Sequence, residues 1–96
     1  MTKTSISYKE GLKKDLTNPD EAAAYLNAAL EDGEEEVFLL ALRDIAEARQ
    51  LTKVAKETNL NRENLYRMLS KKGNPKLSSL KALLDALGLR LAVEVR

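Results

Sequence analysis

Two apolar repeats meet at an abrupt break in the stretch LTKVAKETNLNRENLYRMLSKKGNP, residues 51–75. Apolar residues recur every three or four positions before and after the break, which is the spacing of one face of an α-helix. The polar stretch TNLNRE, residues 58–63, separates the two repeats. A connection this short predicts two helices that cross at a steep angle. The alternative is a helical hairpin that forms part of a helix bundle.

The residues around the joint favour the steep crossing. Ala55 is small where the second helix crosses the first, Asn59 tolerates a left-handed backbone, and Leu60 is placed to fill the corner. Asn61 is a good N-cap for the second helix. Leu65 and Met68, one turn apart, are predicted to form its inner face, packed against Val54. Together these features predict a helix-turn-helix over residues 51–70.

The outer face of the second helix carries side chains suited to nucleic acid. Arginine reads guanine edges and asparagine reads adenine, while lysines and helix N-termini contact phosphates. Lys56 and Lys76 lie on the flanks of the motif. The predicted DNA-binding residues are Thr52, Lys53, Asn61, Arg62, Glu63, Tyr66, Arg67, Lys71 and Lys72.

The charge distribution supports this prediction. The whole chain has a net charge of +1, but residues 1–50 hold six Lys or Arg against eleven Asp or Glu. Residues 51–81 hold eight Lys or Arg against two Glu. A basic segment beside an acidic half indicates two different partners, of which the basic segment fits nucleic acid. The alternative is that the two halves attract each other, although surface pairing contributes little energy.

Helical spacing extends over most of the remaining chain. Residues 18–33, 34–50 and 76–88 are predicted as three further helices, with Asn18 as a cap and Gly33 as a terminator. The inward stripes include Leu26, Leu30, Phe38, Leu39, Leu42, Ile45, Leu77, Leu80, Leu83, Leu84 and Leu87. Because the aromatic residues are only one Phe and three Tyr, the core must be aliphatic. The prediction is one all-α domain over residues 1–96 with five helices, in which the polar and weakly patterned residues 1–18 are the candidate flexible segment.

The last residues, LRLAVEVR, switch from helical spacing to alternation. Apolar side chains at Leu89, Leu91, Val93 and Val95 alternate with other residues, which predicts a strand over residues 89–95. A single strand in a helical protein has no partner, and its unpaired backbone groups promote association. The simplest solution is a homodimer in which the strand meets its own copy, and pairing with TSISY at residues 4–8 is the alternative.

Composition argues against several classes of function. The chain has no Cys and no His, so the commonest transition-metal ligands and general base are missing. An enzyme, a metal site and a cofactor are therefore not expected. No apolar stretch is long enough to span a membrane, and the N-terminus lacks an apolar signal core. A cytoplasmic protein is the expectation.

The segment VAKETNLNRENLYRMLSKKGNPKLSSLKALLDALGLRLAV resembles the addiction module antidote proteins, HigA-like antitoxins of the Xre/Cro repressor superfamily with a lambda repressor-like fold. Most of the resemblance lies in Arg62-Glu63-x-Leu65-Tyr66, in Leu69-Ser70-x-x-Gly73-Asn74-Pro75, and in Leu87-Gly88-Leu89. It extends over about residues 20 to 95. Asn59 departs from the family pattern, which usually has Gly there, and Lys76 stands where Thr is often found.

The resemblance implies two activities. An antitoxin of this kind binds and blocks a small basic RelE/HigB-type toxin, which is an mRNA-cleaving ribonuclease. It also binds its own double-stranded operator DNA, usually as a homodimer, and represses its operon. The acidic first half supplies candidate toxin-binding residues at Glu31, Asp32, Glu34, Glu35 and Glu36. The alternatives are an orphan helix-turn-helix repressor without a toxin and a helical protein-binding module.

Overall fold

The computed structural model describes residues 14–70 and 72–96, and this part of the chain is helical. A helical turn at residues 14–16 precedes five helices, and no strand occurs among the described residues. The helices are α1 (Pro19–Asp32), α2 (Glu35–Ala48), α3 (Leu51–Thr58), α4 (Arg62–Met68) and α5 (Leu77–Ala86). The predicted all-helical fold is confirmed for this part of the chain. The alternative strand TSISY lies outside the described residues.

The first two helices begin and end as their sequences predict. The Asn18 side chain accepts a hydrogen bond from the Asp20 amide at 2.8 Å, and Pro19 is the first residue of α1. Gly33 ends α1 with φ 85°, and its amide donates to the Leu30 carbonyl at 3.1 Å. Acidic residues open α2, where the helix dipole favours negative charge. The resulting hairpin packs α1 along α2.

The core is aliphatic, as the scarcity of aromatic residues predicts. All of the buried side chains among the described residues are Leu, Ala, Val or Ile, and none is polar. Helix α3 lies centrally and contacts α2, α4 and α5. The largest fully buried side chains are those of Leu42, Ile45, Leu65, Leu69, Leu83 and Leu87. Leu16, just before α1, is only 3% exposed and joins this core.

Two predicted core residues are instead on the surface. Leu30 is 57% exposed in the last turn of α1, and Leu77 is 65% exposed as the first residue of α5. Helical spacing identifies the inner face of a helix but not how far along it the neighbouring helices reach. Both errors therefore fall at helix ends.

The predicted second helix of the motif is also too long. The motif was predicted to extend to residue 70, whereas α4 ends at Met68. The Ser70 hydroxyl donates to the Arg67 carbonyl at 2.8 Å and satisfies one of the acceptors at the helix end. The chain then turns, with the Gly73 amide donating to the Ser70 carbonyl at 2.8 Å.

The prediction of a strand over residues 89–95 is wrong for the single chain. Residues 89 to 96 belong to no helix or strand, and Val93 and Val95 are 99% and 100% exposed. A strand needs a second backbone to satisfy its amides and carbonyls, and the described residues provide none at this position. Only Leu89 and Leu91 of the alternating set contact the rest of the protein, Leu89 half-buried against the core and Leu91 at the wall of a groove.

None of the helices that the structure describes combines the length and the apolar composition of a membrane span.

Candidate nucleic-acid interface

The turn between α3 and α4 is closed by three consecutive residues. Asn59 adopts φ 60° and ψ 19°, the left-handed conformation predicted for it. Leu60 is half-buried and packs against the core, as a corner residue should. The Thr58 hydroxyl donates to the carbonyls of Val54 and Ala55 at 2.9 and 3.1 Å and accepts from the Leu60 amide at 3.3 Å. Thr58 thus satisfies backbone groups on both sides of the corner, a role that the sequence pattern did not predict.

Apolar side chains on α4 and at its C-cap fix the orientation of this helix. Leu65 and Leu69 are completely buried, and Val54 and Ala55 of α3 are 3% and 9% exposed. Met68, which was predicted as the second inner residue, is only half-buried. Leu69 takes that place because the chain leaves the helix there. The arrangement of α3, the turn and α4 is compatible with the predicted helix-turn-helix.

The outer face of α4 is exposed and polar. Arg62, Glu63 and Arg67 are all exposed, and so is Asn64, which the sequence prediction passed over. The Asn61 side-chain oxygen accepts a hydrogen bond from the Asn64 amide at 2.7 Å and caps the helix. A bidentate contact with adenine uses both the oxygen and the nitrogen of a side-chain amide. Asn61 therefore cannot make this contact while its oxygen caps α4. The Asn64 carboxamide, on the same face, makes no hydrogen bond to another described residue.

Tyr66 is the half-buried member of the predicted set. The guanidinium carbon of Arg43, on α2, lies 4.9 Å from the centre of its ring, and that of Arg62 lies 5.9 Å from it. Both distances fall in the range of cation–π attraction. The ring therefore connects α2 to the face of α4, and Arg43 belongs beside the predicted residues although nothing in the local sequence indicates it.

The flanking residues lie on both sides of α4. Thr52 and Lys53 are exposed in the first turn of α3, which starts after Gln50 at φ 66° without a side-chain cap from the described residues. On the other side, Lys72 and Lys76 are exposed and line a cleft together with Arg67 and Asn64. Lys71 lies outside the described residues.

The positive charges of this region are not neutralised by ion pairs within the part of the chain that the structure describes. Among the described residues, the ion pair that the structure contains joins Arg43 and Glu47, both on α2. No described Lys or Arg of residues 51–81 pairs with a carboxylate. The alternative that the acidic and basic halves attract each other through ion pairs therefore receives no support. The exposed cations remain available to a polyanion.

Comparison with known proteins identifies the family. A family model described as "Probable addiction module antidote protein" matches residues 8–95. The chain belongs to this antidote family. An uncharacterised protein of Haemophilus influenzae is 38% identical over 79 residues, which covers 82% of this chain and 81% of that relative. No solved structure matches the chain.

Membership of an antidote family implies a cognate toxin and a role in an addiction module. The candidate toxin-binding residues surround the turn between α1 and α2, and all of them are exposed: Glu31, Asp32, Glu34, Glu35 and Glu36. No ion pair with another described residue engages these carboxylates. The structure thus gathers them into one acidic cluster at one end of the hairpin of this antidote-family protein.

The candidate dimer residues of the antidote protein lie close to part of that acidic cluster. A groove between α1, α2 and α5 is lined by Leu30 and Phe38 as well as by Leu89 and Leu91 of the C-terminal segment. Glu31 lines the same groove. Val93 and Val95 project away from it into solvent.

Proposed function

We propose that this antidote-family protein is a sequence-specific DNA-binding antitoxin that acts as a homodimer. It blocks a small basic RelE/HigB-type toxin that cleaves mRNA, and it represses its own operon. In this proposal α4 enters the major groove, and the flanking lysines and the start of α3 contact phosphates. The two copies of α4 in the dimer then read half-sites about 34–36 Å apart, or a multiple of this spacing.

The observation that best supports DNA binding is the positive surface of α4 and its flanks, whose described cations pair with no described carboxylate. Arg62 and Arg67 are exposed on a helix that Leu65 and Leu69 anchor from the opposite side. A structural surface would be expected to alternate charges or pair them, because uncompensated like charges repel. A polyanion such as the DNA backbone supplies the missing negative charge.

A gel-shift titration tests DNA binding. The protein is titrated against the palindromic duplex upstream of its own gene and against a random duplex of equal length, at the same salt concentration. The proposal expects at least a thousandfold preference for the upstream duplex, in the range typical of specific binders. Equal affinity for the two duplexes would remove the claim of sequence-specific reading.

The toxin is tested separately through the neighbouring gene. We expect a short adjacent reading frame that encodes a basic protein of about one domain. Co-expression followed by sizing should give a stable complex and relieve the growth arrest that the adjacent protein causes alone. An orphan repressor, in contrast, would bind its operator but form no complex with the adjacent product.

The acidic cluster is the proposed contact for this basic toxin, because opposite charges steer association and fix orientation. Glu34→Gln with Glu35→Gln should weaken toxin binding and slow association, most strongly at low salt. Glu21→Gln with Asp85→Asn removes two exposed carboxylates elsewhere and is the matched control. Equal effects of the two double variants would place the toxin contact elsewhere on the protein.

The protein acts in this proposal as a binding protein in the cytoplasm, where its DNA and the mRNA targets of the toxin are found, and not as an enzyme. The absence of His and Cys from the sequence supports this part of the proposal, since the commonest general base and nucleophilic thiol are missing.

A further inference from the structure

The C-terminal segment, residues 89–96, carries the most exposed large apolar side chains of the described residues. Val93 is 99% and Val95 100% exposed, and Leu91 is 46% exposed. None of the residues from 90 to 96 belongs to a helix or strand. The combination of exposed apolar side chains and unpaired backbone indicates a surface that another backbone covers.

The start of this segment is held firmly. The Leu89 amide donates to the Leu84 carbonyl at 2.8 Å, and the Gly88 amide donates to the Asp85 carbonyl at 3.0 Å. With Gly88 at φ 78°, these bonds form a Schellman motif that ends α5. The segment therefore leaves the body of the protein in a defined direction, along the groove lined by Leu30 and Phe38.

We propose that two copies of this chain pair their C-terminal segments as antiparallel strands, with Ala92 of each copy on the two-fold axis. The proposal rests on the homodimer of the proposed function and specifies its surface. The strand that the single chain lacks then forms between copies. Across a two-fold axis, the residue numbers of every directly opposed pair have the same sum. The choice of the residue on the axis therefore fixes every cross-strand pair.

Charge selects this register. With Ala92 on the axis, Arg90 lies opposite the partner's Glu94, and by symmetry Glu94 lies opposite the partner's Arg90. Both charged pairs are therefore attractive, and directly opposed pairs are the ones that matter most in a sheet. The same alignment brings two Ala92 side chains together, which are small enough to face each other.

The other registers lack this complementarity. With Val93 on the axis, Arg90 lies opposite the partner's Arg96, and symmetry repeats this pair, so two repulsive pairs form. With Glu94 on the axis, this carboxylate faces its own copy. With Leu91 on the axis, Arg90 lies opposite Ala92 and no charged pair forms.

The register also covers the exposed valines. Leu91 lies opposite the partner's Val93, and Leu89 lies opposite the partner's Val95. Since Leu89 packs against the core and Leu91 lines the groove, each copy brings its two valines beside the groove of the other, whose lining is mixed apolar and charged. Leu30 on the wall of that groove, 57% exposed in the single chain, gains an apolar neighbour.

Charge reversal tests the register by sedimentation equilibrium on the full chain. Arg90→Glu and Glu94→Arg each replace two attractive pairs by two repulsive ones, so each should weaken the dimer about tenfold or more. The double variant restores both pairs with reversed polarity and should restore the dimer. Arg96→Glu changes the net charge as much as Arg90→Glu but lies opposite Gly88 in this register, so it should leave the dimer intact. Far-UV circular dichroism shows whether each variant keeps its helices.

Each outcome decides a different claim. A wild-type protein that is monomeric at tens of micromolar would overturn both the homodimer and this register. A dimer that responds equally to Arg90→Glu and Arg96→Glu would overturn the register alone and leave the homodimer of the proposed function standing. A helical double variant that stays as weak as the single variants would also overturn the pairing of Arg90 with Glu94.

A cross-linking experiment measures the axis directly. The chain has no cysteine, so Ala92→Cys introduces a single thiol. Residues directly opposite in an antiparallel pair have Cα atoms about 4.5–5.5 Å apart, within the range of a disulfide. Val93→Cys places its two thiols on a diagonal with Cα atoms about 8 Å apart, too far for a bridge. Faster disulfide formation by Val93→Cys than by Ala92→Cys would overturn the proposed axis.

Discussion

Single residues at the corners of the backbone determine where α4 points. Asn59 holds the left-handed conformation of the turn, and the Thr58 hydroxyl bonds backbone groups before and after it. Gly73 then lies against the end of α4, where the chain passes close to the Met68 carbonyl. The residue types at these positions are set by backbone geometry more than by burial of apolar surface. Their substitution should therefore lower stability without creating a cavity in the core.

Replacement of Asn59 tests the cost of the left-handed turn. Asn59→Ala should lower the free energy of unfolding by about 1 kcal/mol, because residues without a short polar side chain adopt this conformation at a cost of roughly 1–2 kcal/mol. Asn59→Gly should keep wild-type stability, since glycine adopts the conformation freely. Urea unfolding followed by circular dichroism at 222 nm gives both values. Equal stability of the two variants would contradict the strain argument.

Replacement of Gly73 tests the close approach. A Cβ atom at this position would collide with the Met68 carbonyl oxygen and lie 2.8 Å from the carbonyl carbon. Gly73→Ala should therefore cost about 1–3 kcal/mol of unfolding free energy, as overpacking does. Gly33→Ala is the control, because a Cβ there meets no atom within 4 Å and only the positive φ opposes it. A smaller loss for Gly73→Ala than for Gly33→Ala would show that the end of α4 moves aside easily.

At the scale of the helices, periodicity predicted the inner faces well and the ends poorly. Leu39, Leu42 and Ile45 are buried as predicted on α2, because an apolar stripe reports directly on one side of a helix. Leu30 and Leu77 were misplaced because the reach of neighbouring helices depends on the tertiary arrangement. Side-chain contacts between distant segments, such as Arg43 with Tyr66, leave no periodic signal at all.

In the candidate site, too, local features could be predicted from the sequence and features that depend on distant contacts could not. Asn59, Leu60 and Asn61 could be assigned from the sequence because turn conformation and capping are local properties of a few residues. The early end of α4 could not, since it depends on Ser70 and on the chain returning past Gly73. The strand at residues 89–95 could not be settled from one chain, because strand formation depends on a partner backbone.

Variants of exposed residues test the separate roles of α4 and its flanks in the proposed DNA complex. Arg67→Ala should cost about 1–3 kcal/mol and relax the preference at one base position, if its guanidinium reads a base edge. Lys72→Ala should weaken binding to all duplexes about equally, because a phosphate contact carries no sequence information. Competition against single-base variants of the operator duplex measures both effects.

The control for these two variants is Lys14→Ala, which removes an exposed cation outside the basic segment. It should leave the affinity for every duplex nearly unchanged. A loss as large as that of Lys72→Ala would mean that the affinity follows the net charge and not the position of the cation.

For the interactions of the whole molecule, the distribution of charge along the chain is more informative than the net charge. The net charge of +1 conceals a basic segment that no described carboxylate pairs with and an acidic cluster at one end of the α1–α2 hairpin. In the proposed function, long-range attraction to DNA and to a basic toxin therefore acts at different places on the same small protein.

The salt dependence of the proposed DNA binding measures how many phosphates the basic surface contacts. With about six phosphate contacts, the logarithm of the association constant should fall against the logarithm of salt concentration with a slope of about −5. Lys72→Ala should reduce the steepness by about 1. Fluorescence anisotropy between 50 and 300 mM salt gives the slope. A flat response would favour a protein-binding module without a DNA role.

The purely aliphatic interior has a consequence for how this fold tolerates change. None of the fully buried side chains among the described residues is polar, so no hydrogen bond among these side chains selects one packing of the core over another. Interiors of this kind accept many simultaneous exchanges among Leu, Ile, Val and Met when the total volume is kept. A library randomised inside the molecule should therefore retain many folded members, whereas one randomised at Thr58, Asn59 and Gly73 should retain few. The residues at the turns therefore specify this fold more strictly than the identity of individual core residues does.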